Sequence, residues 1–141
     1  MWWQQYIGKA FAEKGRGPDE FDCWGLVRQV YLDHCGIELP TYLEKYQSTN
    51  DRDILGEVIG SESREKWSPV DKPASFDVII LRMRGVPMHV GVVTKPGFMI
   101  HCARNIGVVS ERYDSLKWRC NVMGFVRHGK SLDLCSAAAI Q

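Results

Sequence analysis

The sequence predicts an α+β domain, with helical segments first and an antiparallel sheet second. Three observations carry that expectation. Apolar residues recur at helical spacing up to Gly36, the period becomes strand-like after Pro73-Ala74, and Gly/Pro turns divide the later apolar runs at hairpin spacing.

The first element expected is a short amphipathic helix over Trp3 to Ala12, with Trp3, Tyr6, Ile7, Ala10 and Phe11 on one side despite Gly8. Lys14-Gly15-Arg16-Gly17-Pro18-Asp19 reads as a loop. A second helix begins at Cys23 with Asp22 as its N-cap, carries Leu26, Val27, Val30 and Tyr31 on one stripe, and stops at Gly36 after His34 or Cys35. Leu39-Pro40 is an extended exit. The segment from Tyr42 to Trp67 is polar and weakly periodic, with room for one short helix over 53–59. Ser68-Pro69 to Pro73-Ala74 reads as loop.

The strands follow. Asp77 to Met83 is dense enough to be central, Gly85-Val86-Pro87 turns, Met88 to Val93 is the second strand, Lys95-Pro96-Gly97 turns again, and Phe98 to Ala103 is the third. Gly107 to Ser110 and Val122 to Val126 add two shorter ones, and the whole reads as a meander. Residues 1–130 are expected to form one domain, and 131–141, small and polar, a flexible tail.

The 141 residues suit a single domain with a true core. A formal net charge of +1 gives no long-range field for nucleic acid, and the densest basic cluster, Arg82 with Arg84, sits beside a turn. No apolar run approaches the roughly 20 residues of a membrane span. The first residues lack a charged region followed by an apolar core, so no signal peptide is expected. Five cysteines, odd in number and without a CxxC pair, argue against a disulfide framework and a structural zinc site.

One cysteine stands apart. Cys23 falls in the first turn of a capped helix, where the helix dipole favours the thiolate. The alternative is a small buried core residue. A nucleophilic thiol needs a base, and four histidines are available. His34 lies three turns away at the far end of the same helix, and His128 sits in the basic segment Arg127-His128-Gly129-Lys130 and reads as surface. His89 and His101 remain, both on strands, with Gly91 permitting close approach beside the first. A three-residue hairpin loop would put both on one sheet face; a two-residue type II turn at Pro96-Gly97 would put them on opposite faces. The sequence leaves both loops open. With both imidazoles on the helix side, His89 is the general base, His101 holds it in the useful tautomer, and the Cys23 amide donates to a developing oxyanion.

Phe21-Asp22-Cys23-Trp24-Gly25-Leu26-Val27, Phe76-Asp77-Val78-Ile79, His89-Val90-Gly91-Val92 and Met99-Ile100-His101-Cys102, in that order, resemble the NlpC/P60 cysteine peptidases over about residues 8 to 128. The resemblance implies a papain-like core with the cysteine helix on an antiparallel sheet, and a catalytic set of Cys23, His89 and His101. It also implies cleavage of peptidoglycan stem peptides next to a D-glutamyl or diaminopimelate residue, with neither cofactor nor metal. Asp22, Trp24 and Gly91 are the expected substrate-binding residues, with packing of the Trp24 indole as the alternative for that side chain.

The chain departs from the family where Trp24 replaces the usual Ser, where Phe11-Ala12-Glu13-Lys14-Gly15 replaces a Tyr-x-Trp-Gly-Gly segment, and where Phe76-Asp77 replaces Gly-Asp. With Gly15 to Asp19 and Gly124-Phe125-Val126-Arg127, these departures are similar to the bacteriophage and prophage tail branch. That branch implies synthesis in the bacterial cytoplasm, incorporation into a tail and contact with other tail-tip proteins. It also brings a second reading, a non-catalytic tail-tip or assembly protein that keeps the fold and groove. A metal site built from His89, His101 and Cys102 or Cys120 ranks far behind, since the spacing suits no zinc pattern.

Overall fold

The computed structural model describes residues 1–40, 67–83 and 86–129. The chain enters through a 3-10 turn, Trp2–Tyr6, and not through the longer helix expected to Ala12. Gly8 takes φ +89 and donates its N–H to the Val108 carbonyl at 3.0 Å, and Val108 donates back to Lys9 O at 2.9 Å. Pairing to a distant strand therefore overrides local helical spacing. Two short strands, β1 (Ala10–Phe11) and β2 (Glu20–Phe21), then pair in parallel.

The second helix forms as the sequence predicts. Helix α1 (Cys23–Val30) is capped by Asp22, whose Oδ1 accepts from the Gly25 N–H at 2.6 Å. It runs on into a π turn, Tyr31–Cys35, and Gly36 at φ +65 ends it in the left-handed conformation that glycine tolerates best. Its buried face, Leu26, Val27, Val30 and Tyr31, packs on Val78, Ile80, Val90, Val92, Ile100 and Cys102 of the sheet. The Tyr31 hydroxyl donates to Phe76 O and ties the helix to the start of the sheet.

The sheet has six antiparallel strands: β3 (Trp67–Val70), β4 (Val78–Met83), β5 (Val86–Lys95), β6 (Phe98–Ala103), β7 (Gly107–Arg112) and β8 (Val122–His128). Their order is β3-β8-β4-β5-β6-β7. Strands β4 to β7 form the expected meander, but β8 returns to lie between β4 and β3. Three local expectations change. Trp67–Val70 is an edge strand and not loop, and Pro69 is tolerated there because an edge leaves one side of the ladder open. Val86 and Pro87 already belong to β5, where a turn was expected. His128, read as surface, is buried with its ring 4.9 Å from that of Trp67. Positions 53–59, Arg84 and the tail 131–141 lie outside the described residues.

The side of the sheet away from α1 carries a second cluster, Ile79, Leu81, Val93, Met99 and Trp118. At the β4–β8 seam the fully buried Asp77 accepts from Arg127 Nε (2.7 Å) and Nη2 (2.8 Å) and from the Ala74 N–H (2.7 Å). That carboxylate joins the start of β4 to the end of β8.

Candidate active site

The start of α1 is clamped from above and below. Arg16 Nη1 reaches both Gly15 O (3.0 Å) and the capping oxygen of Asp22 (2.7 Å). Gly25 passes so close beneath the Gly15 carbonyl that a Cβ there would collide with it. From the sheet side, Cys102 Sγ donates to Phe21 O at 3.2 Å. Burial, helped by the nearby Asp22 charge, pushes the Cys102 thiol up to about 12, so it stays a protonated packing group. Cys23 itself is buried in the helix-side cluster, together with Val90 and Cys102, the chain neighbours of the two histidines.

The hairpin that carries those histidines resolves the open parity in an unexpected way. Lys95 pairs with Phe98, so the loop has two residues, Pro96 and Gly97, with Gly97 at φ +94 as a type II turn requires. That loop alone would put His89 and His101 on opposite faces. The register then shifts between Val93↔Met99 and Lys95↔Phe98, which leaves Thr94 as an extra residue on β5. This β-bulge adds the one residue needed to return both imidazoles to the same face.

They meet there. His89 Nε2 lies 2.9 Å from His101 Nδ1, with the rings at 83° and both side chains buried. Val90, Val92, Ile100 and Cys102, the alternate residues of the same strands, join the cluster that contains Cys23. Strand alternation groups them with Leu81, the partner of His89 on β4, and with Met99 on β6. The β5–β6 ladder runs only from Lys95↔Phe98 to Val92↔Ile100. His89 and His101 lie just past its last pair.

Gly91 is the point of closest approach in this stretch. A Cβ at that position would stand 2.8 Å from Ile100 O, 3.1 Å from His101 Cβ and 3.3 Å from Ile79 Cγ2. The glycine makes room for His101 and not for a docking helix. Trp24 is fully buried, and its indole N–H donates to Pro40 O at 2.8 Å, holding the strap that follows α1. Trp24 and Gly91, both expected to bind substrate, thus lie within the packed interior. Asp22 is also buried, and its Oδ2 has no hydrogen-bond partner.

The far nitrogen of His101 finds a residue that the sequence reading did not single out. Nε2 lies 2.6 Å from Glu111 Oε2. The same oxygen accepts from Trp118 Nε1 at 3.2 Å, and Glu111 Oε1 faces Lys117 Nζ at 3.5 Å. Burial holds His101 down to about 4, reinforced by His89 and opposed by Glu111, so His101 is neutral at neutral pH. Burial alone would raise Glu111, but the His101 hydrogen bond, with help from Lys117 and Trp118, brings it below the ordinary carboxylate value. Glu111 was missed because the predicted strand ended at Ser110. Continuing the alternation one residue further puts an acidic side chain on the His101 face, a diagonal neighbour through the Met99↔Glu111 and His101↔Val109 pairs. Among the described residues no group of three His, Cys, Asp or Glu side chains is arranged to hold a metal ion.

A capped cysteine helix laid on an antiparallel sheet, with a buried imidazole pair at the end of the β5–β6 ladder, defines a class of α+β domain. Residues 8–127 match the model of the NlpC/P60 family. The probable endopeptidases p60 of Listeria innocua and Listeria monocytogenes are each 30% identical over 125 residues, which is 88% of this chain. The chain spans only 23% and 22% of their lengths. Among solved structures, the NlpC/p60 domain of the peptidoglycan hydrolase SagA matches with a TM-score of 0.57 and 22% identity, covering 86% of this chain and 88% of that one. NlpC2 from Trichomonas vaginalis matches with a TM-score of 0.61 and 20% identity, covering 86% of this chain and 42% of that one. The chain belongs to the NlpC/P60 family.

Proposed function

We propose that the chain is a cysteine endopeptidase that hydrolyses amide bonds in peptidoglycan stem peptides, next to D-glutamate or diaminopimelate. The observation that carries this reading is the buried His89–His101 pair, joined at 2.9 Å just past the last pair of the β5–β6 ladder. Two buried imidazoles in contact cost desolvation and have no packing rationale that apolar residues would not serve better. In this reading His89 Nδ1 takes the proton of Cys23. The sulfur attacks the scissile carbonyl carbon while first-turn amides of α1 stabilise the oxyanion. The C–N bond breaks as His89 returns the proton to the leaving amine, and water then hydrolyses the thioester. Asp22 Oδ2, buried and unpaired at the helix start, is the acceptor we assign to a substrate donor.

We extend the reading to its setting: residues 1–130 act as one catalytic domain, made in the bacterial cytoplasm and carried in a phage or prophage tail with other tail-tip proteins. Trp24, the Gly15 to Asp19 loop and Gly124 to Arg127 support this, as they resemble that branch of the family. The burial of Cys23, His89 and His101 favours a second reading, a structural tail protein whose groove no longer turns over substrate.

Digestion of purified peptidoglycan followed by mass spectrometry of the fragments separates the two. New amino termini from the native protein, absent with Cys23→Ala, are expected for a peptidase. Equal output from the variant, or none from the native protein across wall types, refutes it. Recovery of the protein in purified tail particles tests the setting.

A further inference from the structure

The imidazole pair does not end at His101. A neutral imidazole has one N–H and one lone pair, so the partner of one ring nitrogen dictates the state of the other. Glu111 Oε2, 2.6 Å from His101 Nε2, belongs to a carboxylate and can only accept. His101 therefore carries its proton on Nε2, and its Nδ1 must accept. The group facing that Nδ1 at 2.9 Å is His89 Nε2, which must then be the protonated nitrogen of His89. His89 Nδ1 then carries the lone pair, as a base nitrogen must. The other groups at this end of the chain, Trp118 Nε1 and Lys117 Nζ, are donors only. Glu111 alone among them supplies an acceptor.

We propose that Glu111 is a positioning residue that fixes the tautomers of both His101 and His89 and so keeps the base nitrogen of His89 unprotonated and available. Its value to catalysis rests on reading His89 as the base of Cys23, but its effect on the tautomers does not. The Trp118 indole, edge-on to His101 at 5.3 Å, shields the hydrogen bond from water and confines the ring. With Glu111 absent, His101 Nε2 loses its acceptor, and the Trp118 N–H that shared Glu111 Oε2 is left as a donor on that side. It would favour a lone pair there, move the His101 proton to Nδ1, and force His89 to protonate the nitrogen meant for the thiol.

The test is imidazole 15N spectroscopy of the full-length protein labelled at histidine, on the native chain, Glu111→Gln and Glu111→Leu. Expected are Nε2-protonated rings at His89 and His101 in the native protein and in Glu111→Gln, whose amide oxygen can still accept. Glu111→Leu should move the His101 proton to Nδ1 and lower kcat/KM on stem peptides by about a hundredfold, while Glu111→Gln keeps most of the activity. A native His101 protonated on Nδ1, or one that stays Nε2-protonated in a folded Glu111→Leu, overturns the proposal. If Glu111→Leu does not fold, the native tautomer and an inactive, folded Glu111→Gln with unchanged tautomers each remain able to overturn it. Because the spectra need no substrate, an absence of peptidoglycan cleavage would count against the peptidase reading and leave the tautomer result to decide this one.

Discussion

Replacing Gly91 by alanine should damage the imidazole pair more than it damages the fold. The added Cβ would sit 2.8 Å from Ile100 O, a backbone atom that cannot rotate away. Ordinary contact begins at 3.4 Å, so β5 and β6 must separate by about 0.6 Å at this point, taking 3.4 minus 2.8. The two neighbouring contacts, at 3.1 Å to His101 Cβ and 3.3 Å to Ile79 Cγ2, relax with the same movement. If half of that separation reaches the rings, the 2.9 Å bond between His89 and His101 lengthens to about 3.2 Å, the outer edge of a good N–H···N geometry. Overpacking of this size costs about 1–3 kcal/mol. For a chain of 141 residues the unfolding entropy is about 0.3 kcal/mol per degree, so Tm should fall by roughly 3–10 °C. Loss of a positioned base should lower kcat/KM by at least about tenfold more than that stability change explains. Thermal unfolding by circular dichroism and stem-peptide kinetics read the two effects separately. A Gly91→Ala protein with native Tm and native kcat/KM would refute the argument that this glycine makes room for His101.

Two further outcomes follow from the same geometry. Arg127→Met strips both guanidinium bonds from the fully buried Asp77 carboxylate and leaves it the Ala74 amide alone; unfolding should become about 3 kcal/mol easier, and Asp77→Asn in the same background should restore part of the loss, measured in urea. Stability should also fall with acid between the ordinary histidine value, 6.5, and the folded value for His101 of about 4, because over that range the unfolded chain binds a proton that the native chain refuses. The full step is about 3 kcal/mol, Glu111 adds to it in the same direction because its folded value is also lowered, and His101→Asn should flatten it in Tm measured against pH.

What the sequence discloses about this protein depends on how local the determinant is. The start and stop of α1 are written in Asp22, Cys23 and Gly36, each acting within one turn, and the structure reproduces them. The hairpins from β4 to β7 are equally local. By contrast, the N-terminal segment follows hydrogen bonds from Gly8 and Lys9 to Val108, a hundred residues away, which no period reports. The edge strand Trp67–Val70 exists because β8 comes back to pair with it, and Pro69 hides it from any strand rule. Trp24 lies within the most recognisable motif in the chain. Its indole N–H nevertheless pairs with the Pro40 carbonyl, which the motif does not contain.

The histidines show the same limit at the site itself. Cys23, His89 and His101 can be singled out by residue type and order, yet the arrangement of the two imidazoles hangs on Thr94. A two-residue turn makes the tight hairpin that Pro96-Gly97 is built for, and by itself it would separate His89 from His101 across the sheet. Inserting a third loop residue would have restored the face but loosened the turn. The bulge resolves the conflict by moving the extra residue three positions back from Gly97, into a stretch where Ser75 Oγ holds Thr94 O at 2.8 Å and Phe76 N–H holds Val93 O at 2.9 Å. Beyond the bulge the ladder lasts only to Val92↔Ile100, Gly91 lets the strands run close beside His101, and Glu111 reaches diagonally from β7 to the far ring nitrogen. A tight turn, a displaced extra residue, a missing side chain and a distant carboxylate therefore act on one pair of rings. Only the first of the four is recognisable as a turn signal in the sequence; the others acquire their meaning from the register of β5, β6 and β7.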